Sequence, residues 1–237
     1  MTKPNRVGKL VSDESFINKE DTEMTLDNIT VNTQSSIRIE GSKVLYFDPY
    51  LIQEAAHDAD YIFITHEHYD HFDPESIAKI RKDSTVLVAP ESMQKKALSK
   101  AGITAEHCLF YQPGENHEAG GLVIETIPAY NKMKPFHTKA KKWQGYVVEM
   151  DGVRYYVAGD TDVNEDIKKV SCDVAFVPIG GFYTMDRKQA AEYIAQIKPK
   201  AVVPTHYGSI VGKQSDGGEF QKMLESLDGS IQVLLKL

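Results

Sequence analysis

Six consecutive residues, His66-Glu67-His68-Tyr69-Asp70-His71, read H-x-H-x-D-H and stand directly after the apolar run Tyr61-Ile62-Phe63-Ile64-Thr65. Imidazole and carboxylate are the ligands that suit zinc, manganese and iron, and a plain surface loop has no use for so many of them in so short a span. The pattern constrains the fold as well as the chemistry. Ligand atoms must be held within a few ångströms of one another, so the loop needs a rigid support. An apolar run of strand length feeding a ligand loop points to an α/β sheet with its chemistry at the carboxyl ends of its strands. In extended chain, residues two apart point the same way, so His66 and His68 can close on one ion, while Asp70 and His71 lie beyond a turn. Asp73-Pro74-Glu75 then reads as a helix start, with Asp73 as N-cap and Pro74 at the first helical position.

The remaining elements alternate in a way that suggests layers. Short strands are expected at Ile29 to Thr33, Ser36 to Glu40 and Val44 to Phe47, a helix from Pro74 to Arg81, a buried strand from Thr85 to Ala89, and a helix from Glu91 to Ala101 stopped by Gly102. Leu122 to Ile127 reads as a strand, and Gly145 to Met150 with Val153 to Val157 as a hairpin across Asp151-Gly152. Ala175 to Pro178, Ala201 to Pro204 and Ile231 to Leu235 read as strands, with helices at Arg187 to Ile197 and Glu219 to Leu227. Two successive blocks of strands followed by helix and strand, without a linker or repeat, predict two sheets packed together with helices outside, a four-layer αββα sandwich. At 237 residues the expected organisation is a single domain over residues 25–237, with the polar residues 1–24 as a tail or an added element.

With 27 Lys+Arg against 34 Asp+Glu, the formal charge of −7 argues against nucleic acid or an anionic membrane as partner of the whole surface. No apolar stretch is long enough to span a bilayer and the amino terminus lacks a signal-peptide core, so a cytoplasmic protein is expected. Cys108 and Cys172 are far apart and form no C-x-x-C pair, which argues against a zinc ribbon or a disulfide scaffold.

An H-x-H-x-D-H loop cannot fill two coordination spheres alone, and further ligands do stand at the ends of later strands. Asp160 closes Tyr155-Tyr156-Val157-Ala158-Gly159, and His206 follows Val202-Val203-Pro204-Thr205. With His66, His68, Asp70, His71, Asp160 and His206 in this order, the chain resembles the metallo-β-lactamase superfamily over about residues 28 to 210. Asp48-Pro49, Ala158-Gly159-Asp160-Thr161-Asp162, Thr184-Met185 and Pro204-Thr205-His206-Tyr207-Gly208 make it similar to the branch of simple metal-dependent hydrolases that includes ascorbate-phosphate lactonases and N-acylphosphatidylethanolamine phospholipase D. The resemblance implies two divalent ions, zinc first with manganese or iron as alternatives. His66 and His68 would hold one and Asp70, His71 and His206 the other, with Asp160 bridging and a metal-bound hydroxide as nucleophile. Asp70 and Asp160 are then the carboxylates expected at the chemistry.

One departure stands out against that pattern. The superfamily places a third histidine on the first ion just after a middle strand, and here that stretch reads Ile127-Pro128-Ala129-Tyr130-Asn131. Asn131 is therefore entered among the expected ligands, with His137 either recruited in its stead or contacting substrate. Gln34 stands where this branch often carries a glycine-histidine pair. Lys132, Lys134, Lys139, Lys141 and Lys142 cluster beside Trp143 in an otherwise acidic chain. Overhanging the ions, such a loop would supply charge to an anionic substrate, with Lys132, His137 and Tyr130 as contacts and Tyr183 and Tyr207 along the same cleft.

The expected function is a metal-dependent hydrolase of a small anionic ester, phosphodiester or lactone. An iron-dependent oxidoreductase on the same scaffold and a metal-depleted binding or regulatory module are the competing readings. The partner is a small-molecule substrate, and a homo-oligomer is left open.

Overall fold

The computed structural model describes residues 26–237, and the tail or added element expected over residues 1–24 lies outside the described residues. Two mixed sheets face each other. The first runs in the order β1 (Ile29–Val31), β2 (Ile37–Glu40), β3 (Val44–Phe47), β4 (Ala59–Phe63), β5 (Arg81–Pro90) and β6 (Cys108–Tyr111). Its first pairs are antiparallel, and from β3 onward the strands are parallel. The second sheet carries β7 (Asn116–Ala119), β8 (Leu122–Pro128), β9 (Gln144–Met150), β10 (Val153–Val157), β11 (Val174–Pro178), β12 (Ala201–Thr205) and β13 (Gln232–Val233) in the reverse order, β13 to β7. Its β7 to β10 half is an antiparallel meander and its β10 to β13 half is parallel.

Alternation along the strands builds the layers. Leu45, Phe47, Tyr61 and Phe63 of the first sheet turn inward onto Ile124, Tyr146, Val148 and Phe176 of the second. Their neighbours turn outward. Ile62, Leu87 and Ala89 pack under α1 (Pro74–Ile80) and α2 (Gln94–Lys100). Val147, Tyr156, Ala175 and Val202 pack under α3 (Arg187–Ile197) and α4 (Asp216–Leu227). The result is the αββα order expected from the sequence. Asp151 and Gly152 both take positive φ, 55° and 77°, as a two-residue hairpin between β9 and β10 requires. Asp73 caps α1 by accepting from the Glu75 N–H, with Pro74 at the first helical position.

The inner layer also anchors the loop after β4. Phe63 stacks on Phe47 at 4.7 Å and meets Tyr146 edge-on at 5.3 Å. The Tyr146 hydroxyl, from the opposite sheet, donates to the Ile64 carbonyl at 2.7 Å. Just beyond, Gly159 has φ +65°, and a Cβ there would lie 2.9 Å from the Thr65 Cβ. Only glycine lets the end of β10 come so close to the end of β4. Gly159→Ala combines left-handed strain with this overlap, a cost of about 2–4 kcal/mol. A fall in thermal midpoint on the order of 10 °C is expected, and an unchanged midpoint by circular dichroism would contradict the close approach.

Candidate metal centre

The loop after β4 leaves the sheet as extended chain, and the two-residue spacing brings His66 and His68 together, with His66 Nε2 and His68 Nδ1 3.0 Å apart. His137, from the long β8 to β9 connection, places its Nε2 3.2 Å from His68 Nδ1 and 3.2 Å from Asp160 Oδ2. His66 Nε2 is 4.0 Å from the same Asp160 oxygen. These four residues form one group. A second group consists of Asp70, His71 and His206, where Asp70 Oδ2 lies 3.6 Å from His71 Nε2 and 3.4 Å from His206 Nε2. Asp160, just past β10, stands between them: its Oδ1 is 3.3 Å from His71 Nε2 and its Oδ2 3.3 Å from His206 Nε2.

The donor set fits divalent ions of the zinc type. Within each group the ligand atoms all lie within 4.8 Å of one another. His71 Nε2, His206 Nε2 and Asp160 Oδ1 are nonetheless buried with no hydrogen-bond partner among the described residues. Atoms this close yet misaligned for bonding to each other converge on shared points. Buried polar atoms left unpaired are costly, and an ion at each focus would satisfy them.

Asp48, at the end of β3, holds the first sheet's ligands in place. Its Oδ2 lies 2.7 Å from His71 Nδ1 and accepts from Thr65 Oγ1 at 2.7 Å, while Oδ1 accepts from the Thr65 N–H at 2.7 Å. Thr65 Oγ1 in turn lies 3.0 Å from His66 Nδ1. One carboxylate thus fixes the ring of one histidine directly and that of another through a hydroxyl, aiming both Nε2 atoms at the foci. The sequence carries Asp48-Pro49 only as part of the resemblance, with no place for Asp48 in the site. The available signal was a carboxylate at a strand's carboxyl end.

Electrostatics follow from this packing. Burial pushes the Asp48 carboxyl up, partly offset by His71. Burial likewise opposes ionisation of Asp160, but His206 and His71 outweigh it and hold the carboxyl well below its ordinary range. His71 is also buried, yet Asp160 and Asp48 raise it well above the usual imidazole value. Burial, with neighbouring histidines, lowers His66 and His68, which favours the neutral form that binds metal. Strain gathers here as well: Gln34, Asp48, His137 and His206 all have φ between 45° and 57°. The Gln34 carbonyl accepts from the His206 N–H at 3.0 Å, and a Cβ on Gly180 would collide with the His206 carbonyl.

His137 takes the first of the two places open to it, among the ligands, and Asn131 stands behind it in the same loop. The Asn131 N–H donates to the His137 carbonyl at 2.8 Å and its Nδ2 to the Tyr183 carbonyl at 2.6 Å, closing the loop that carries His137 into the first group. Tyr130, expected to touch substrate, faces elsewhere: its hydroxyl donates to Asp166 at 3.0 Å and its ring lies under Lys139. Lys132 pairs with Glu165 at 3.2 Å rather than reaching the cleft. Three more of the cluster have partners, Lys134 on Asp162 and the Gly181 and Thr184 carbonyls, Lys139 on Asp166, and Lys141 near Glu67. Tyr207 is buried under α4, whereas Tyr183 does line the cleft.

Residues 28–206, which carry every one of these histidines and carboxylates, match the profile of the β-lactamase superfamily domain. The chain belongs to this superfamily. It is 34% identical over 203 residues to a UPF0173 metal-dependent hydrolase of Thermococcus onnurineus, covering 80% of this chain and 88% of that one. A second UPF0173 metal-dependent hydrolase, from Pyrococcus abyssi, is 34% identical over 200 residues, covering 78% and 87%. Among solved structures, Igni18, a metallo hydrolase from Ignicoccus hospitalis, superposes with a TM-score of 0.71 at 26% identity, covering 87% of this chain and 93% of that one. The protein is thus a β-lactamase superfamily member of the metal-dependent hydrolase kind. No helix among its described residues is long and apolar enough to cross a membrane.

Proposed function

We propose that the protein hydrolyses a small ester, phosphodiester or lactone at two divalent ions, one held by His66, His68, His137 and Asp160 and the other by Asp70, His71, His206 and Asp160. The observation that carries this reading is Asp160, whose two oxygens lie within 3.3 Å of nitrogens from both groups. Bound there, two ions would supply Lewis acidity and an activated water, so that neither serine nor cysteine is required. The ligand chemistry favours zinc, with manganese or iron as alternatives.

The chain's own residues set the rest. Asp48 fixes the His71 tautomer so that Nε2 presents its lone pair. Two divalent ions bring four positive charges and Asp70 and Asp160 offset two, leaving a cationic focus for an anionic group without any lysine. With His137 in the first group, Asn131 no longer motivates a metal-depleted module. Because the ligands come from the strand ends of both sheets, residues 28–206 would work as one unit.

Zinc-reloaded protein is expected to turn over at least one of a 4-nitrophenyl ester, bis(4-nitrophenyl) phosphate and a γ-lactone, and chelated protein none of them. Turnover unaffected by chelation would overturn the reading. The ligand assignment makes a separate prediction. Elemental analysis of His137→Ala should show the loss of about one ion per chain relative to wild type, and Asn131→Ala little loss. The reverse pattern would return Asn131 to the ligand set.

A further inference from the structure

Resting on the hydrolase reading, we infer that the cleft beside the ion ligands is an apolar subsite, and that the substrate carries a short hydrocarbon or aryl group next to the bond that is cut. The cleft measures about 240 Å³. On one side stand the ligand groups; on the other stand Tyr69, Phe136, Tyr183 and Ile210. Phe136 meets Tyr183 edge-on at 4.9 Å, and Phe182 meets Tyr183 edge-on at 4.7 Å, making an aromatic wall at the mouth. Much of this carbon faces water: Phe182 is 66% exposed, Tyr69 64%, Ile210 41% and Phe136 40%. Apolar side chains gathered around a cleft with a few convergent polar groups are what a small-molecule site requires.

The wall is fixed relative to the ligands. Asn131 bonds the His137 carbonyl through its N–H and the Tyr183 carbonyl through its side chain, so the loop bearing Phe136 and His137 is tied to the segment bearing Phe182 and Tyr183. No lysine among the described residues lines the cleft. Recognition of charge therefore falls to the ion focus, and the remainder of the substrate meets hydrocarbon. The 240 Å³ also takes in the ligand groups, so beside the ions there is room for a short chain or a single ring. This selects short acyl or aryl esters and lactones over substrates that are charged or hydroxylated throughout.

Product-like carboxylates of increasing length test the inference without relying on turnover. Acetate, butyrate and hexanoate would be titrated calorimetrically into zinc-loaded wild type, Ile210→Ala and Tyr183→Ala. Affinity is expected to rise about threefold per methylene, on the order of a hundredfold from acetate to hexanoate. Both variants should flatten that rise while binding acetate as wild type does. Ile210 is a partly exposed side chain whose truncation leaves the core intact, and Tyr183→Ala keeps the main-chain bond to Asn131. Zinc-dependent acetate binding with no gain in hexanoate, or a gain that both variants retain, would overturn the subsite and leave the hydrolase reading standing. Absence of zinc-dependent binding of any carboxylate would overturn both.

Discussion

Asp160→Ala should lose both ions and hydrolysis together, because this carboxylate stands between the two groups, 3.3 Å from His71 on one side and 3.2 Å from His137 on the other. The loss follows from magnitudes. Lewis-acid stabilisation by bound ions is worth several kcal/mol, and each 1.36 kcal/mol is tenfold in rate, so turnover should fall on the order of a thousandfold or more. The fold should survive, since Asp160 lies in a loop past β10 and outside the packed layers. Near-wild-type turnover in a folded Asp160→Ala protein would contradict a shared carboxylate.

Asp48 is the second position where a large effect is expected, and for a different reason. Asp48→Ala leaves three buried groups, the Thr65 N–H, the Thr65 hydroxyl and His71 Nδ1, without an acceptor. At about 1–3 kcal/mol each, stability should fall by about 3–9 kcal/mol, seen as a drop in thermal midpoint on the order of 10–30 °C. Asp48→Asn separates orientation from stability. Its amide would present an N–H toward His71 Nδ1, favouring the tautomer with the proton on Nε2, where the ion needs a lone pair. Ion affinity should then weaken roughly 10- to 100-fold with a much smaller change in thermal midpoint. Equal ion affinity in Asp48→Asn and wild type would show that Asp48 serves the fold alone.

The layers were legible because strand patterning is local. Val44–Phe47, Val153–Val157 and Arg187–Ile197 form where the residues alone place them, since each carries its own period and its own turn or cap. β6 and β7 were not anticipated. Asn116–Ala119 is polar and sits at the sheet edge, so its strand character comes from pairing with β8 rather than from its residues. β5 begins four residues earlier than expected, at Arg81, where pairing with Ala59 recruits a polar stretch.

The site divides in the same way. His66, His68, Asp70, His71, Asp160 and His206 stand at strand ends, where spacing along the chain translates into position in space. His137 is delivered by a loop whose closure, through Asn131, is a tertiary fact. The lysine cluster suggests an anion-binding overhang, but charge along a sequence does not reveal its partners, and Glu67, Asp162, Glu165 and Asp166 take up four of the five. The apolar wall came from Phe136, Tyr183 and Ile210, three residues that no spacing rule joins.

Metal stoichiometry is the most direct test of the central claim. Protein stripped with chelator, reloaded with excess zinc and freed of unbound metal by gel filtration would be measured by elemental analysis alongside its His137→Ala and His206→Ala variants. The account predicts about two ions per chain in wild type and about one in each variant, His137→Ala emptying the first group and His206→Ala the second. A wild type holding one ion or none, or variants that both keep two, would contradict a paired metal centre built from these residues.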